Sequence, residues 1–255
     1  MKEFILKMKE FRIQNEKPSL NFVDMFNSRV KSRGLRGAKL IAYKQNLALT
    51  EQQKEVIIGK LLGDASIRTS QCNFCVKFEQ KYTQIDYIIH LYEIFEPYVG
   101  TGPKMRVIQN TFHRDYGVSC WFRTYSHIDF KYYENRFYQT DAKGKRRKVV
   151  PQNIHQMLTP RALAYWFMDD GSYIFTSASK GQKSGLCCCL NTQGFTYSEQ
   201  KVLIKALKQT FDLDVNRVKD RNYYRLVIQT QSENAFKQLI EPFILPSLQY
   251  KLKKN

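Results

Sequence analysis

Two short apolar stretches of this chain end in acids: Ile57-Ile-Gly-Lys-Leu-Leu-Gly-Asp-Ala65 and Leu163-Ala-Tyr-Trp-Phe-Met-Asp-Asp-Gly171. Both read as helices, and Asp64 and Asp170, 106 residues apart, fall at their C-terminal ends. A carboxylate is disfavoured there because it meets the negative end of the helix macrodipole. Two such ends side by side would also repel one another. A divalent cation removes both conflicts, and carboxylates plus helix-end carbonyls are hard oxygen ligands suited to Mg²⁺. Gly59 and Gly63 are four residues apart, hence on one helix face, where small residues let two helix backbones approach closely. Either motif alone reads as an ordinary helix C-cap. A matched pair inside a strongly basic chain is far more specific.

The elements that must hold these acids repeat along the chain. Thr50 is placed to N-cap the first motif helix, over Glu51–Asp64. In Asn73–Gln80, apolar Phe74, Val76 and Phe78 alternate with Asn73, Cys75, Lys77 and Glu79, the period of a strand with one apolar face. A helix is predicted over Tyr82–Tyr98, strands over Lys104–Asn110 and Val118–Thr124, and a helix near His127–Tyr138. The second half follows the same order. A helix starts at Thr159 or Pro160 and runs to Asp170, then come a strand at Leu186–Asn191 and a helix at Ser198–Phe211. A hairpin of Arg217–Arg221 and Tyr224–Gln231 follows, with Leu226 and Ile228 facing in and Arg225, Val227 and Gln229 facing out. The last helix covers Glu233–Phe243. A tandem αββαββα unit predicts an α+β fold with pseudo-two-fold symmetry. The expected divisions are a basic N-terminal extension at 1–45 with a flexible arm at Asn27–Gly37, a first half at 46–140, a basic linker at 141–157 and a second half at 158–255.

Charge narrows the partner. The 255 residues carry 41 Lys+Arg against 23 Asp+Glu, a formal net charge of +18. Such an excess is self-repulsive and calls for a polyanion, nucleic acid first and a membrane surface second. With 43% apolar residues the chain can bury a core. It has no eighteen-residue apolar run that would cross a membrane, and its N-terminal apolar stretch is too short for a signal peptide. Three of six cysteines are contiguous (Cys187, Cys188, Cys189), which points to a reducing compartment rather than a disulfide framework. Cys72 and Cys75 have no second pair with zinc spacing. The chain has neither an N-terminal Cys/Ser nor a His-Asn end, which argues against an intein.

The two motifs resemble those of the LAGLIDADG homing endonucleases, in the monomeric two-motif class encoded by organellar group I introns. The similarity extends through Gly59–Arg68, Leu158–Gly171, Leu190–Phe195 and Leu245–Leu252. Tyr165 and Trp166 depart from the small or aliphatic residues of the family motif. The resemblance implies that the motif helices pack centrally and that two curved antiparallel sheets form a saddle for DNA. It implies that Asp64 and Asp170 hold Mg²⁺ (or Mn²⁺), with main-chain oxygens at Gly63 and Asp169 beside them, and that one phosphodiester is hydrolysed on each strand. It also implies one lysine per half, Lys148 and Lys251, each either a catalytic cation or a phosphate contact.

Recognition is expected from the polar strand faces, because a two-stranded ribbon fits the major groove. The candidates are Arg68, Asn73, Lys77, Arg106, Arg123, Asn191, Gln193, Arg217, Lys219, Arg221, Arg225 and Gln229. Glu79 is a further candidate, to orient solvent or read cytosine. Lys145, Arg146 and Arg147 of the linker are expected to add phosphate contacts. The expected partner is double-stranded DNA bound by a monomer, with no membrane, in a mitochondrion or plastid. The competing reading is a splicing maturase of the same fold that binds group I intron RNA.

Overall fold

The computed structural model describes residues 32, 34–70, 73–110, 115–176 and 185–252. The expected arm from Asn27 to Lys31, Arg33 and Cys72 therefore lie outside the described residues. In chain order the elements are α1 (Gly37–Gln45), α2 (Glu51–Leu62), β1 (Ser66–Ser70), β2 (Asn73–Lys81), α3 (Ile85–Phe95), β3 (Lys104–Asn110), β4 (Asp115–Arg123) and α4 (Asp129–Phe137). They continue as β5 (Tyr138–Thr140), β6 (Arg146–Lys148), α5 (Pro160–Asp170), β7 (Gly171–Thr176), β8 (Gly185–Leu190), α6 (Tyr197–Phe211), β9 (Val215–Asp220), β10 (Tyr223–Ile228) and α7 (Thr230–Ile240). From α2 onward the order αββαββα occurs twice, an α+β fold. Among the described residues no helix is long and apolar enough to cross a membrane.

The helix starts follow from capping chemistry. The Thr50 hydroxyl accepts the Gln53 N–H and the Gln53 side chain accepts the Thr50 N–H, a capping box that opens α2. Thr159 caps α5 with Pro160 in the first turn, where a missing N–H costs nothing. A second capping box, Thr196 with Glu199, opens α6.

The chain forms two compact units, and they cut across the repeat. One contains the described residues up to Leu47 together with Cys75–Ser126; the other contains Ala48–Phe74 and His127–Asn255. The divisions at 46–140, 141–157 and 158–255 thus describe the repeat in the chain, whereas α2 and β1 group with the elements of the second half. The reason is that α2 packs along α5.

In the first unit β2, β4 and β3 pair antiparallel in that order. Phe78 and Phe122 are register partners with ring centroids 4.9 Å apart, and Phe95 and Tyr92 of α3 pack on them. This aromatic layer covers one face of the sheet. Helix α1, a part of the N-terminal extension with no predicted structure, belongs to this unit, where the Tyr43 hydroxyl donates to the Pro97 carbonyl at 3.0 Å.

In the second unit the order is β7-β8-β10-β9. Register places Leu190, Leu226 and Arg217 on one face and Cys189, Val227 and Asn216 on the other. Leu226 and Ile228 are buried as expected, but so is Val227. It joins Cys187 and Cys189 in a small apolar cluster flanked by Ile174 and Val218, so this face is not purely polar. The stretch expected to be a linker is instead a hairpin, β5–β6. Its turn is set by the Asp141 carboxylate, which accepts the N–H groups of Lys143 and Lys145 at 2.9 and 2.8 Å, and by Gly144 at φ +77°.

Candidate functional site

The site is built where α2 and α5 meet. A Cβ on Gly59 would lie 2.2 Å from the Ala162 carbonyl oxygen, and one on Gly63 would lie 2.4 Å from Asp169 Oδ2. Only glycine permits this approach. It brings the ends of both helices together with three acids (Asp64, Asp169, Asp170) and three lysines (Lys60, Lys148, Lys251).

Each acid has a different setting. Asp169 lies wholly inside: its Oδ1 accepts Lys60 Nζ at 2.5 Å, and both side chains are 0% exposed. Its Oδ2 accepts the backbone N–H of Asp64 at 2.9 Å. Burial pushes the Asp169 carboxyl up, against the pull of the Lys60 charge. Asp170 is pushed up to about 7, first by burial and then by the charges of Asp64 and Asp169. Asp64 is exposed. The Asp170 main chain is fixed from the residue just past the end of β8, since Asn191 donates to its carbonyl from N at 2.9 Å and from Nδ2 at 2.8 Å.

The lysines close on the helix ends. Lys148 Nζ donates to the carbonyls of Gly63 and Ala65 at 2.7 and 2.8 Å. Lys251 Nζ donates to those of Met168 and Asp169 at 2.6 and 3.2 Å. Burial lowers both, Lys148 to about 8, with the three aspartates opposing the fall. The carbonyls of Gly63 and Asp169 are therefore already ligated by ammonium groups. No cluster of three or more His, Cys, Asp or Glu side chains that could hold a metal occurs among the described residues. The donors that fit a hard cation are the carboxylates of Asp64 and Asp170, whose mutual repulsion a divalent ion relieves. Mg²⁺ accepts one or two carboxylates when water and phosphate complete its shell.

The sheet faces sort the other candidates. In the first unit, register brings Lys77, Glu79, Arg106 and Arg123 to the face opposite α3. Glu79 accepts from Lys77, Arg106 and Ser119 at 2.5, 2.7 and 2.6 Å. Burial alone would raise its carboxyl, but the Lys77 and Ser119 hydrogen bonds and the Lys77 and Arg106 charges hold it below the usual range. Lys77 and Lys104 flank the Trp121 ring at 5.2 and 5.7 Å. Trp121 and Lys104 have no motif around them; only strand parity relative to Glu79 identifies them.

Several of the other predicted contacts are engaged by partners within the chain. Arg146 donates from Nε to Glu134 at 2.7 Å and from Nη2 to the Ile67 carbonyl at 3.0 Å, and stacks 3.5 Å from the Tyr138 ring. Arg147 pairs with Glu199 at 2.8 Å. Arg217 lies between the rings of Tyr197 and Tyr224 at 4.0 and 3.8 Å, on the face that carries α6, and Lys219 shares that face. Arg225 pairs with Asp220, which also accepts from Gln193 at 3.1 Å. Gln229 lies past the strand end and donates to Asn216 at 3.0 Å. Arg221 occupies the hairpin turn at φ +54°, and Arg68, Asn73 and Lys145 are exposed. Because Arg146 makes charge-assisted bonds at the hairpin base, Arg146→Ala should cost about 2 kcal/mol. Thermal melts should show that loss, and an unchanged melt with weakened DNA binding would assign Arg146 to phosphate contact alone.

Comparison with known proteins places these features. A family profile described as "LAGLIDADG DNA endonuclease family" matches residues 54–236. The chain is 31% identical over 217 residues to DNA endonuclease I-ChuI of Chlamydomonas applanata, covering 81% of this chain and 96% of that protein. It is 30% identical to the cytochrome b mRNA maturase bI2 of Debaryomyces hansenii, covering 81% of this chain and 76% of that protein. Its fold matches the structure of the homing endonuclease I-WcaI bound to its DNA recognition sequence, with a TM-score of 0.76 and 28% identity over 90% of this chain and 98% of that one.

Proposed function

The chain belongs to the LAGLIDADG DNA endonuclease family, and from that premise we propose that it is an intron-encoded homing endonuclease. Its reaction is the hydrolysis of one phosphodiester on each strand of a specific DNA site, with Mg²⁺ or Mn²⁺. The observation that carries this reading is the meeting of Asp64 and Asp170 at adjoining helix ends, ringed by lysines. A binding protein has no need of two acids that repel one another and DNA. Asp64 and Asp170 would hold the cation, which when bound supplies Lewis-acid polarisation of the phosphate and a more acidic water. Lys148 and Lys251, anchored by helix-end carbonyls, set positive charge where negative charge grows in the transition state. Lys148, near 8, can hold or release a proton at Nζ close to neutral pH.

Lys77, Arg106 and Arg123 on the open face of the first sheet, with Arg68, Asn73 and Lys145, are the groups proposed to meet DNA. One chain carries both acidic helix ends, so a monomer completes the site, and an organelle is the proposed location. The proposal is tested by cleavage of the uninterrupted exon junction of the host gene in Mg²⁺, with EDTA abolishing it. Phosphate contacts should make affinity fall roughly tenfold between 50 and 100 mM salt if about four phosphates are neutralised. A flat salt response in a filter-binding series would separate the net charge from DNA binding.

The maturase relative favours a second reading, in which the same fold binds group I intron RNA. Specific RNA binding with no cleavage at any exon junction would select it.

A further inference from the structure

In the repeat, Lys60 of the first motif aligns with Trp166 of the second, and Gly63 aligns with Asp169. The two halves therefore differ next to their metal-binding acids. Gly63 has no side chain, and the Asp169 carboxylate occupies the space that a Cβ there would need, 2.4 Å away. From that position it receives Lys60 Nζ at 2.5 Å and the Asp64 backbone N–H at 2.9 Å. The result is a buried chain from the ammonium through a carboxylate to the main chain of Asp64. Gly63, at the position equivalent to Asp169, has no side chain that could hold Asp170 in the same way. The Asp170 carbonyl is held by Asn191 instead.

An ion pair wholly removed from water is a poor source of stability, since apolar side chains of similar size are often as good or better. Packing alone therefore does not call for this one. We propose that Lys60 and Asp169 are positioning residues that hold Asp64 by its N–H in one half only, so that the two strand cleavages depend on the pair unequally. The inference rests on the endonuclease reading.

Two charge-balanced variants test it. Lys60→Met/Asp169→Asn removes the buried charges but keeps an oxygen that can accept the Asp64 N–H. Lys60→Met/Asp169→Leu fills the same space and offers no acceptor, and Lys60→Met/Asp169→Ala replaces it should the leucine not fold. The first readout is hydrogen exchange at the Asp64 amide in metal-free protein. The second is the ratio of cleavage rates of the two strands on an end-labelled duplex. The Asn variant should keep wild-type amide protection and a strand ratio within about threefold of wild type. The Leu variant should exchange at least about tenfold faster and shift the strand ratio by about tenfold or more, since small misplacements near reacting groups cost up to about 10²-fold. Equal amide exchange and equal strand ratios in the two variants would overturn the proposal. If wild-type protein cuts no target, the endonuclease reading fails, and the amide readout still judges the pair.

Discussion

Asp64→Asn and Asp170→Asn should each lower cleavage by at least about 10³-fold while leaving site-specific DNA affinity within a few-fold of wild type. Loss of one cation ligand forfeits several kcal/mol of transition-state stabilisation, and about 1.4 kcal/mol is a tenfold change in rate. Binding rests on the sheet faces and is spared. Asp170→Asn should also stabilise the metal-free protein. Asp170 is raised from 3.8 to about 7 by burial and by its acidic neighbours, and a raised carboxyl penalises the fold only where the group must ionise. The sign follows: below about pH 4 the acid is protonated in both states and the penalty is absent. It grows as pH rises from about 4 to about 7 and is complete above that. At about 1.4 kcal/mol per unit the full penalty is at most roughly 4 kcal/mol. Without divalent ions, Asp170→Asn should therefore melt higher than wild type at pH 8, and the gap should close towards pH 4. Adding Mg²⁺ should raise the melting temperature of wild type and not of the variant. An Asp170→Asn protein that cuts DNA, or a wild type that Mg²⁺ stabilises no more than the variant, would remove Asp170 from the metal site; a variant that melts no higher than wild type at pH 8 in EDTA would mean that Asp170 ionises in the fold without penalty.

What the sequence reveals here follows the range of the interaction. Thr50 and Thr159 announce their helices because a cap is a contact with the third residue on. The strand at Asn73–Lys81 is legible because Val76 and Phe78, both buried, and half-buried Phe74 leave a period of two. The pair Lys60–Asp169 is invisible by the same logic: its partners are 109 residues apart, and a lysine among Leu and Ile reads as an exposed position. The basic run at 141–148 reads as a linker because its order comes from distant groups, Glu134 and the Ile67 carbonyl, which clasp Arg146. The assignment of Arg217 turns on a single residue of register. Arg225 and Arg217 both look outward-facing in sequence, yet pairing puts Val218, not Arg217, beside Arg225. Val227 escapes for a related reason, because two adjacent residues buried on opposite faces leave no alternation to read.

Gly59→Ala should destabilise the protein by about 3 kcal/mol or more, although alanine is the better helix former by about 1 kcal/mol. The added methyl group would lie 2.2 Å from the Ala162 carbonyl oxygen and 2.9 Å from Tyr165 Cβ. Neither neighbour is the free end of a flexible chain. Ala162 lies in the first turn of α5, where its N–H is held by the Thr159 cap at 3.1 Å, so relief requires the two helices to part. Overpacking of this kind typically costs 1–3 kcal/mol, and a backbone oxygen as the obstacle places this case at the upper end. At roughly 2–4 °C per kcal/mol for a chain of this size, the melting temperature should fall by about 6–12 °C. Parting α2 from α5 also separates Asp64 from Asp170, so cleavage should fall even where the variant remains folded. A Gly59→Ala protein that melts at or above the wild-type temperature would mean that α2 and α5 do not touch at this glycine, and the shared site at their ends would lose its foundation.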